Sequence, residues 1–232
     1  LDFIVTGIFW YVAFVFCVTL HEAAHAWTAK LGGDLTAYYG GQVSIDPIPH
    51  IRRELIGMVV LPLISVFLMG WPFGYASAPY DPYWAQRYPR RAALMALAGP
   101  VSNLLTAVVA GIFIHAGYRY GIFESPVHPD YAAVVVTSRE GMWPAVAMLL
   151  SMLFSLGLIL AVFNLIPVPP LDGSGILPLF LNNELTFKYR QLMHHPMFTW
   201  IGIIIAWNLF DPLFRPIFML ALSLLYPDVT YR

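Results

Sequence analysis

Long stretches of this chain carry no charge, and that limits its folds more than anything else. Ala92 to Tyr118 runs 27 residues without an Asp, Glu, Lys or Arg, and Met142 to Pro167 runs 26. About 20 apolar residues in a helix cross the hydrocarbon core of a bilayer. Phe3 to Leu20 is also uncharged and continues through Glu22 to Ala29, which predicts a third long helix. Leu55 to Trp71 has 17 uncharged residues, short of a comfortable span. Between Met197 and Tyr226 the apolar sequence is broken by Asp211-Pro212 and Arg215-Pro216, which predicts two tilted spans or a kinked pair over 197–226. Charged residues fill 11% of the 232 positions, where a soluble domain carries roughly a quarter. That is too little to cover a water-exposed surface. The formal net charge of −1 argues against a nucleic-acid partner, which would need a basic field. With no repeat, Gly/Ser linker or charge block, residues 1–232 read as one integral membrane domain of the all-α polytopic class.

Two short segments depart from that helical pattern. Thr36 to Ile45 is rich in β-branched and aromatic residues around Gly40-Gly41, which predicts a hairpin or a pair of strands. Phe73 to Pro79 is a second extended candidate, bracketed by Pro72 and Pro79. The expected fold is therefore a three-helix core with short membrane-associated β segments and extra C-terminal hydrophobic helices. Strands at membrane depth must be packed inside protein.

The chemistry concentrates in His21-Glu22-Ala23-Ala24-His25, an H-E-x-x-H sequence near the end of the first long helix. Positions i and i+4 share a helix face, so both imidazoles can reach one metal ion. Glu22 lies about 100° round the helix from His21 and can address a water in an open metal position. Three ionisable groups in one turn of a membrane helix are costly without a function. A catalytic zinc takes three protein ligands, so one more is needed. Glu54, flanked by Arg52 and Arg53, reads better as an interfacial charge. Asp172 is the better candidate. It ends an uncharged run on a proline-stiffened turn, with Gly173 and Gly175 allowing close backbone approach. Its competing role is to cap the short helix that follows. His50, His115 and His128 are isolated, and His194-His195 fit an interfacial position better than a shared site.

Three motifs in order resemble the site-2 proteases, the intramembrane zinc metalloproteases of peptidase family M50. They are His21 to His25, Gly99-Pro100-Val101-Ser102-Asn103, and the N-x-x-P-x-x-P-x-D-G stretch from Asn164 to Gly173. The match covers about residues 8–180 and fits the compact prokaryotic type without a PDZ or CBS domain. It implies one Zn²⁺ held by His21, His25 and Asp172, with Glu22 as the catalytic base. It also implies places near the bound peptide for Asn103 and Asn164. The implied activity is hydrolysis of peptide bonds within or near the membrane segment of a single-span substrate protein, in the plasma membrane. Two positions depart from the family pattern: Ser174 where a second glycine is common, and Ser77 where a lysine is common. The competing reading is a metal-ion transporter using the same His/Asp cluster. Transporters tend to show several such clusters, often in repeats, and need no general base. Neither substrate identity nor oligomeric state is legible.

Topology follows from parity. If His25 and Asp172 meet at one metal, an even number of crossings separates them. Three uncharged runs lie between, so the short run at 55–71 is expected to dip in and return, or to be returned by an extended Trp71–Tyr80 segment. Positive charge agrees. With the excursion, one side collects Lys30, Arg52, Arg53, Arg87, Arg90, Arg91, Lys188 and Arg190, and the other keeps Arg119 and Arg139. That bias predicts an active site opening toward the cytoplasm.

Overall fold

The first uncharged run forms α1 (Asp2–Leu31) in the computed structural model, which describes residues 2–193, 196–229 and 231. His194 and His195 lie outside the described residues. Two short helices follow, α2 (Thr36–Tyr39) and α3 (Pro47–Arg53). Asp46 starts the latter by accepting the Ile48 N–H at 2.9 Å, with Pro47 in the first turn, where its missing donor costs nothing. The short run at 55–71 becomes a π-helical turn (Ile56–Val60) leading into α4 (Leu61–Met69). That helix stops at Gly70, whose φ of +81° suits only glycine well. Residues 72–81 are extended and lead to α5 (Pro82–Arg87) and α6 (Pro89–Arg119). The chain ends with α7 (Trp143–Leu165), α8 (Asp172–Ile176), α9 (Asn183–Met193) and α10 (Pro196–Leu225).

Four of these helices, α1, α6, α7 and α10, are long and apolar enough to cross a membrane. The expected C-terminal pair is instead one continuous helix that carries Pro212 and Pro216 inside it. Each proline removes an intrahelical donor. Aromatic packing holds this stretch together: Phe214 stacks between Phe210 and Phe218, with centroids 4.9 and 5.6 Å away, and Phe210 meets Phe163 of α7 edge-on.

Small residues let the central helices close up. A Cβ on Gly157 of α7 would come within 2.9 Å of Ala107 of α6, so a larger residue there would force the pair apart. One apolar cluster fills the space between α1, α4 and α7, around Trp10, Phe14, Met58, Met152 and Leu156. A second joins α6, α7 and α10 through Ile114, Phe154, Phe214 and Leu222. The loop between α6 and α7 enters this second cluster with Val134 and Val135. Its backbone is satisfied by side chains, as burial without water requires. Ser151 Oγ accepts both valine N–H groups at 3.1 Å, and the Tyr226 hydroxyl donates to the Val134 carbonyl at 3.0 Å.

The expected β segments are absent, and no β-strand occurs among the described residues; a single isolated bridge links Glu124 and Val136. Thr36 to Tyr39 is a helical turn because Asp34 accepts the Thr36 N–H at 2.9 Å and its hydroxyl at 2.6 Å. This local turn outcompetes the weak β preference of the same residues. Gly41, at φ +75°, then turns the chain away before any pairing can begin. Residues 73–79 likewise form no strand, and lie against a helix and side chains. The Tyr75 N–H donates to the Gly57 carbonyl at 3.1 Å, Ser65 Oγ accepts the Phe73 N–H at 2.7 Å, and the Ser77 hydroxyl donates to Glu54 at 2.5 Å.

These contacts bring residue 77 back beside residue 54, where the short run began. The chain from residue 55 thus folds back to its starting point by residue 77, which is what the parity argument expects of an excursion. Tyr83 is 81% exposed and Tyr120 80% exposed, while Cys17 is fully buried and will not react. Cysteines at Tyr83 and Glu184 are expected to label from one membrane face, and a cysteine at Tyr120 from the other. Labelling of Tyr83→Cys and Tyr120→Cys from the same face would refute the excursion.

Candidate metal centre

His25 lies six residues before the end of α1, and Met95 six residues after the start of α6. At 1.5 Å per residue, both are sunk about 9 Å below the helix ends. The junction is pinned from outside by α5. Trp84 Nε1 and an Arg91 Nη both donate to the Gly32 carbonyl at 3.0 Å, and Asp34 accepts the Asp81 N–H at 2.8 Å. Asp172 arrives from the end of α7.

Three ligand atoms converge there. His21 Nε2 and His25 Nε2 are 2.9 Å apart, and Asp172 Oδ2 lies 3.0 Å from the first and 3.3 Å from the second. Three donors about 2.05 Å from a tetrahedral ion would be separated by about 3.3 Å. The cluster is slightly tighter than that and fits one small cation. Asp172 Oδ2 is buried without a hydrogen-bond partner. Burial opposes ionisation of this carboxyl, but the adjacent imidazoles outweigh it and hold its pKa well below the carboxylate range.

The outer ring nitrogens orient the inner ones. His25 Nδ1 is 2.7 Å from the Met95 carbonyl, which can only accept, so Nδ1 carries the proton and Nε2 presents a lone pair. His21 Nδ1 is 2.8 Å from the side-chain nitrogen of Asn103, while Asn103 Oδ1 is buried with no partner. Exchanging the two ends of this amide would place an acceptor against the imidazole. Oδ1 then accepts from His21 Nδ1–H, and His21 Nε2 is freed as a ligand. Asn103 thus supports a histidine from behind.

The Gly99-Pro100 pair makes room for this. A Cβ on Gly99 would collide with His25 Nε2 and come within 2.6 Å of the His21 ring. Pro100 withdraws the helical donor from the Ala96 carbonyl, opening α6 where it faces the cleft. Gly173 serves the opposite wall, since a Cβ there would strike the Leu165 and Ile166 carbonyls at the end of α7. Ser174 Oγ donates to the Leu171 carbonyl at 2.8 Å, and its own carbonyl accepts from the Tyr189 hydroxyl at 2.9 Å, tying α9 to the ligand turn.

The centre opens into a cleft of about 710 Å³. Glu22 lines it, and its carboxylate makes no hydrogen bond among the described residues. Asn164 lines it too, with its amide nitrogen donating to Leu160 at 3.0 Å. The extended segment forms one wall through Gly74 to Ala78. Phe73, Tyr75 and Ser77 bond backward into the protein, and Gly74, Ala76 and Ala78 make no backbone hydrogen bond among the described residues. Other histidines stay apart, as expected. His50 is buried and donates to the Ser44 carbonyl, His115 to that of Leu225, and His128 is exposed. Glu54 is engaged by Ser77 and lies outside the cluster. Sequence reasoning missed the Met95 carbonyl and the space kept by Gly99; the only trace of either was a Gly-Pro step inside an apolar helix.

The model of peptidase family M50 matches residues 9–207. The chain belongs to that family. The match runs beyond residue 180 into α10, further than the motifs alone reach. Over 167 residues this M50 chain is 28% identical to YwhC of Bacillus subtilis, covering 72% of the chain and 66% of that relative. It is 33% identical over 166 residues to Rip2 of Mycobacterium tuberculosis, covering 71% and 54%, and 29% identical over 165 residues to Rip2 of Mycolicibacterium smegmatis, covering 71% and 54%. All three relatives are provisionally named zinc metalloproteases. The chain thus spans about half to two thirds of the length of the curated relatives it matches. No solved structure matches it.

Gly99→Ala is expected to cut metal retention of the purified protein by about tenfold or more, measured by elemental analysis after dialysis. Gly111→Ala, whose Cβ would meet Phe154 at 3.3 Å far from the centre, is expected to retain it. Equal metal content in the two variants would refute the packing argument.

Proposed function

We propose that this chain is an intramembrane zinc endopeptidase that cleaves single-span membrane proteins within or near their membrane segments. The observation that carries the reading is the meeting of His21 Nε2, His25 Nε2 and Asp172 Oδ2 below the helix ends, with the unbonded Glu22 carboxylate in the same cleft. His21, His25 and Asp172 would hold one Zn²⁺, which supplies Lewis-acid polarisation of a water and of the scissile carbonyl. Glu22 accepts the proton of the attacking water on its carboxylate and returns it to the leaving amine. Asn103 holds His21 in the tautomer that ligates. Asn164 faces the peptide from the α7 side.

A substrate helix hides its carbonyls in its own hydrogen bonds, so it must unwind before cleavage. The free backbone groups of Gly74, Ala76 and Ala78 offer an unwound peptide replacement partners along the cleft wall. The glycine and alanines leave room for its side chains. The charge bias of the loops supports a cleft opening toward the cytoplasm of a prokaryotic cell, in the plasma membrane. Water reaches the centre from that side.

The test is Glu22→Gln, which keeps size and hydrogen bonding but removes the base. It should retain zinc and lose cleavage of single-span substrates by about 10²-fold or more. Activity equal to wild type would refute Glu22 as the base. Asn103 is tested by zinc affinity. Asn103→Ala should weaken it by about 10- to 100-fold, and Asn103→Asp, which keeps an acceptor oxygen, should restore most of the loss. Unchanged affinity in Asn103→Ala would remove Asn103 from this role.

A further inference from the structure

Beside the metal cleft lies a second cavity, of about 580 Å³, that the proposed reaction does not use. It sits between the α5–α6 junction and α9, lined by Gln86, Arg87, Thr186, Phe187, Arg190 and Gln191. Its charge is one-sided. Two arginines line it and no acidic residue does among the described residues. Neither arginine has an acidic partner among the described residues, where the Lys and Arg ion pairs are Arg53–Glu54 and Lys188–Glu184. Arg190 is half-buried and gives one Nη to the Ala85 carbonyl; its other donors have no acceptor among the described residues. A half-buried cation without a counter-ion is costly, and the geometry leaves its place open for an anion.

The location says which anion. α5 leads into α6 and α9 leads into α10, so the cavity lies where two membrane-crossing helices enter the bilayer, at the end that holds the metal centre. Phe187, one helical turn from Arg190 on α9, is 69% exposed. An apolar wall next to paired cations at the interface matches a phosphate joined to acyl chains, and not a fully hydrated ion.

We propose that this cavity binds the headgroup of an anionic phospholipid. Arg87 and Arg190 take the phosphate oxygens in the forked geometry that guanidinium offers, and Gln86 and Gln191 add amide donors. Phe187 lies against the glycerol and upper acyl region. Basic pockets between membrane helices on the cytoplasmic side are the usual form of such sites. The consequence reaches the cleft, because Gln86 and Arg190 line both cavities. Arg190 joins α9 to Ala85, and Tyr189 joins α9 to the Ser174 carbonyl two residues from Asp172. A bound headgroup braces that wall.

The experiment uses the full chain in detergent and reads lipid binding by native mass spectrometry, with dihexanoyl phosphatidylglycerol, dihexanoyl phosphatidylcholine and inorganic phosphate as probes. Arg87→Gln is the main variant, since Arg87 makes no hydrogen bond among the described residues and its ring contact with Tyr88 is a distant 5.5 Å. Arg119→Gln, at the opposite end of α6, is the control. Phosphatidylglycerol should bind wild type and the control alike, bind Arg87→Gln about fivefold more weakly, and be preferred over phosphatidylcholine. Equal binding to Arg87→Gln and wild type, or no preference for the anionic lipid, overturns the proposal. Displacement of the lipid by inorganic phosphate at matched concentration reassigns the cavity to a free anion. Absence of lipid binding, with slower cleavage by Arg87→Gln only of substrates with an acidic flank, reassigns it to substrate. Either result also overturns the lipid assignment.

Discussion

Two imidazole lone pairs and a carboxylate oxygen point at one another within about 3 Å, under a roof of membrane helices. Such a group repels itself in a low-dielectric interior unless a cation or a shared proton sits among its members. Much of the central architecture serves to hold it. α6 must come close enough for the Met95 carbonyl and Asn103 to reach the outer ring nitrogens, so Gly99 carries no side chain. α7 must lie against α6 to deliver Asp172, so Gly157 is small. Enlarging Gly157 would act on the centre by parting the helices, whereas a Cβ on Gly99 would press directly on both imidazoles.

The second constraint is the backbone. A segment that turns round at membrane depth cannot leave its amides facing lipid. Residues 72–81 answer this on one side only, bonding to Gly57, Ser65 and Gln42. Their other side faces the cleft, where water or an extended peptide can complete them. The two departures from the family pattern lie along the same cleft. Ser77 donates to Glu54 and anchors the segment, and Ser174 caps its own turn while receiving Tyr189. Both hydroxyls carry structural bonds, and neither is among the three ligand residues.

Much of the site was legible as sequence because its logic is local. His21 and His25 share a face by helical period, and Glu22 follows from adjacency. Asp172 needed the H-E-x-x-H sequence beside it, since an aspartate before a short helix, taken alone, reads better as a cap. The long helices were legible for a similar reason: hydropathy over about 20 residues does not depend on neighbours. The β segments misled because residues 36–39 are too few for propensity to outweigh one capping aspartate. The C-terminal prolines suggested a break, but the aromatic ladder at Phe210, Phe214 and Phe218 and its packing against α7 and Tyr131 hold the helix together.

Spacing and hydropathy thus named the His21, His25 and Asp172 cluster, the glutamate beside it and the long apolar helices, since each rests on periodicity or counting along one chain. The second layer had no such signature. That Met95 lends a carbonyl, that Asn103 supports His21 from behind, and that Arg87 and Arg190 meet over one cavity all depend on residues far apart in the chain. Helix packing brings these groups together, and the distances it sets decide what each can do.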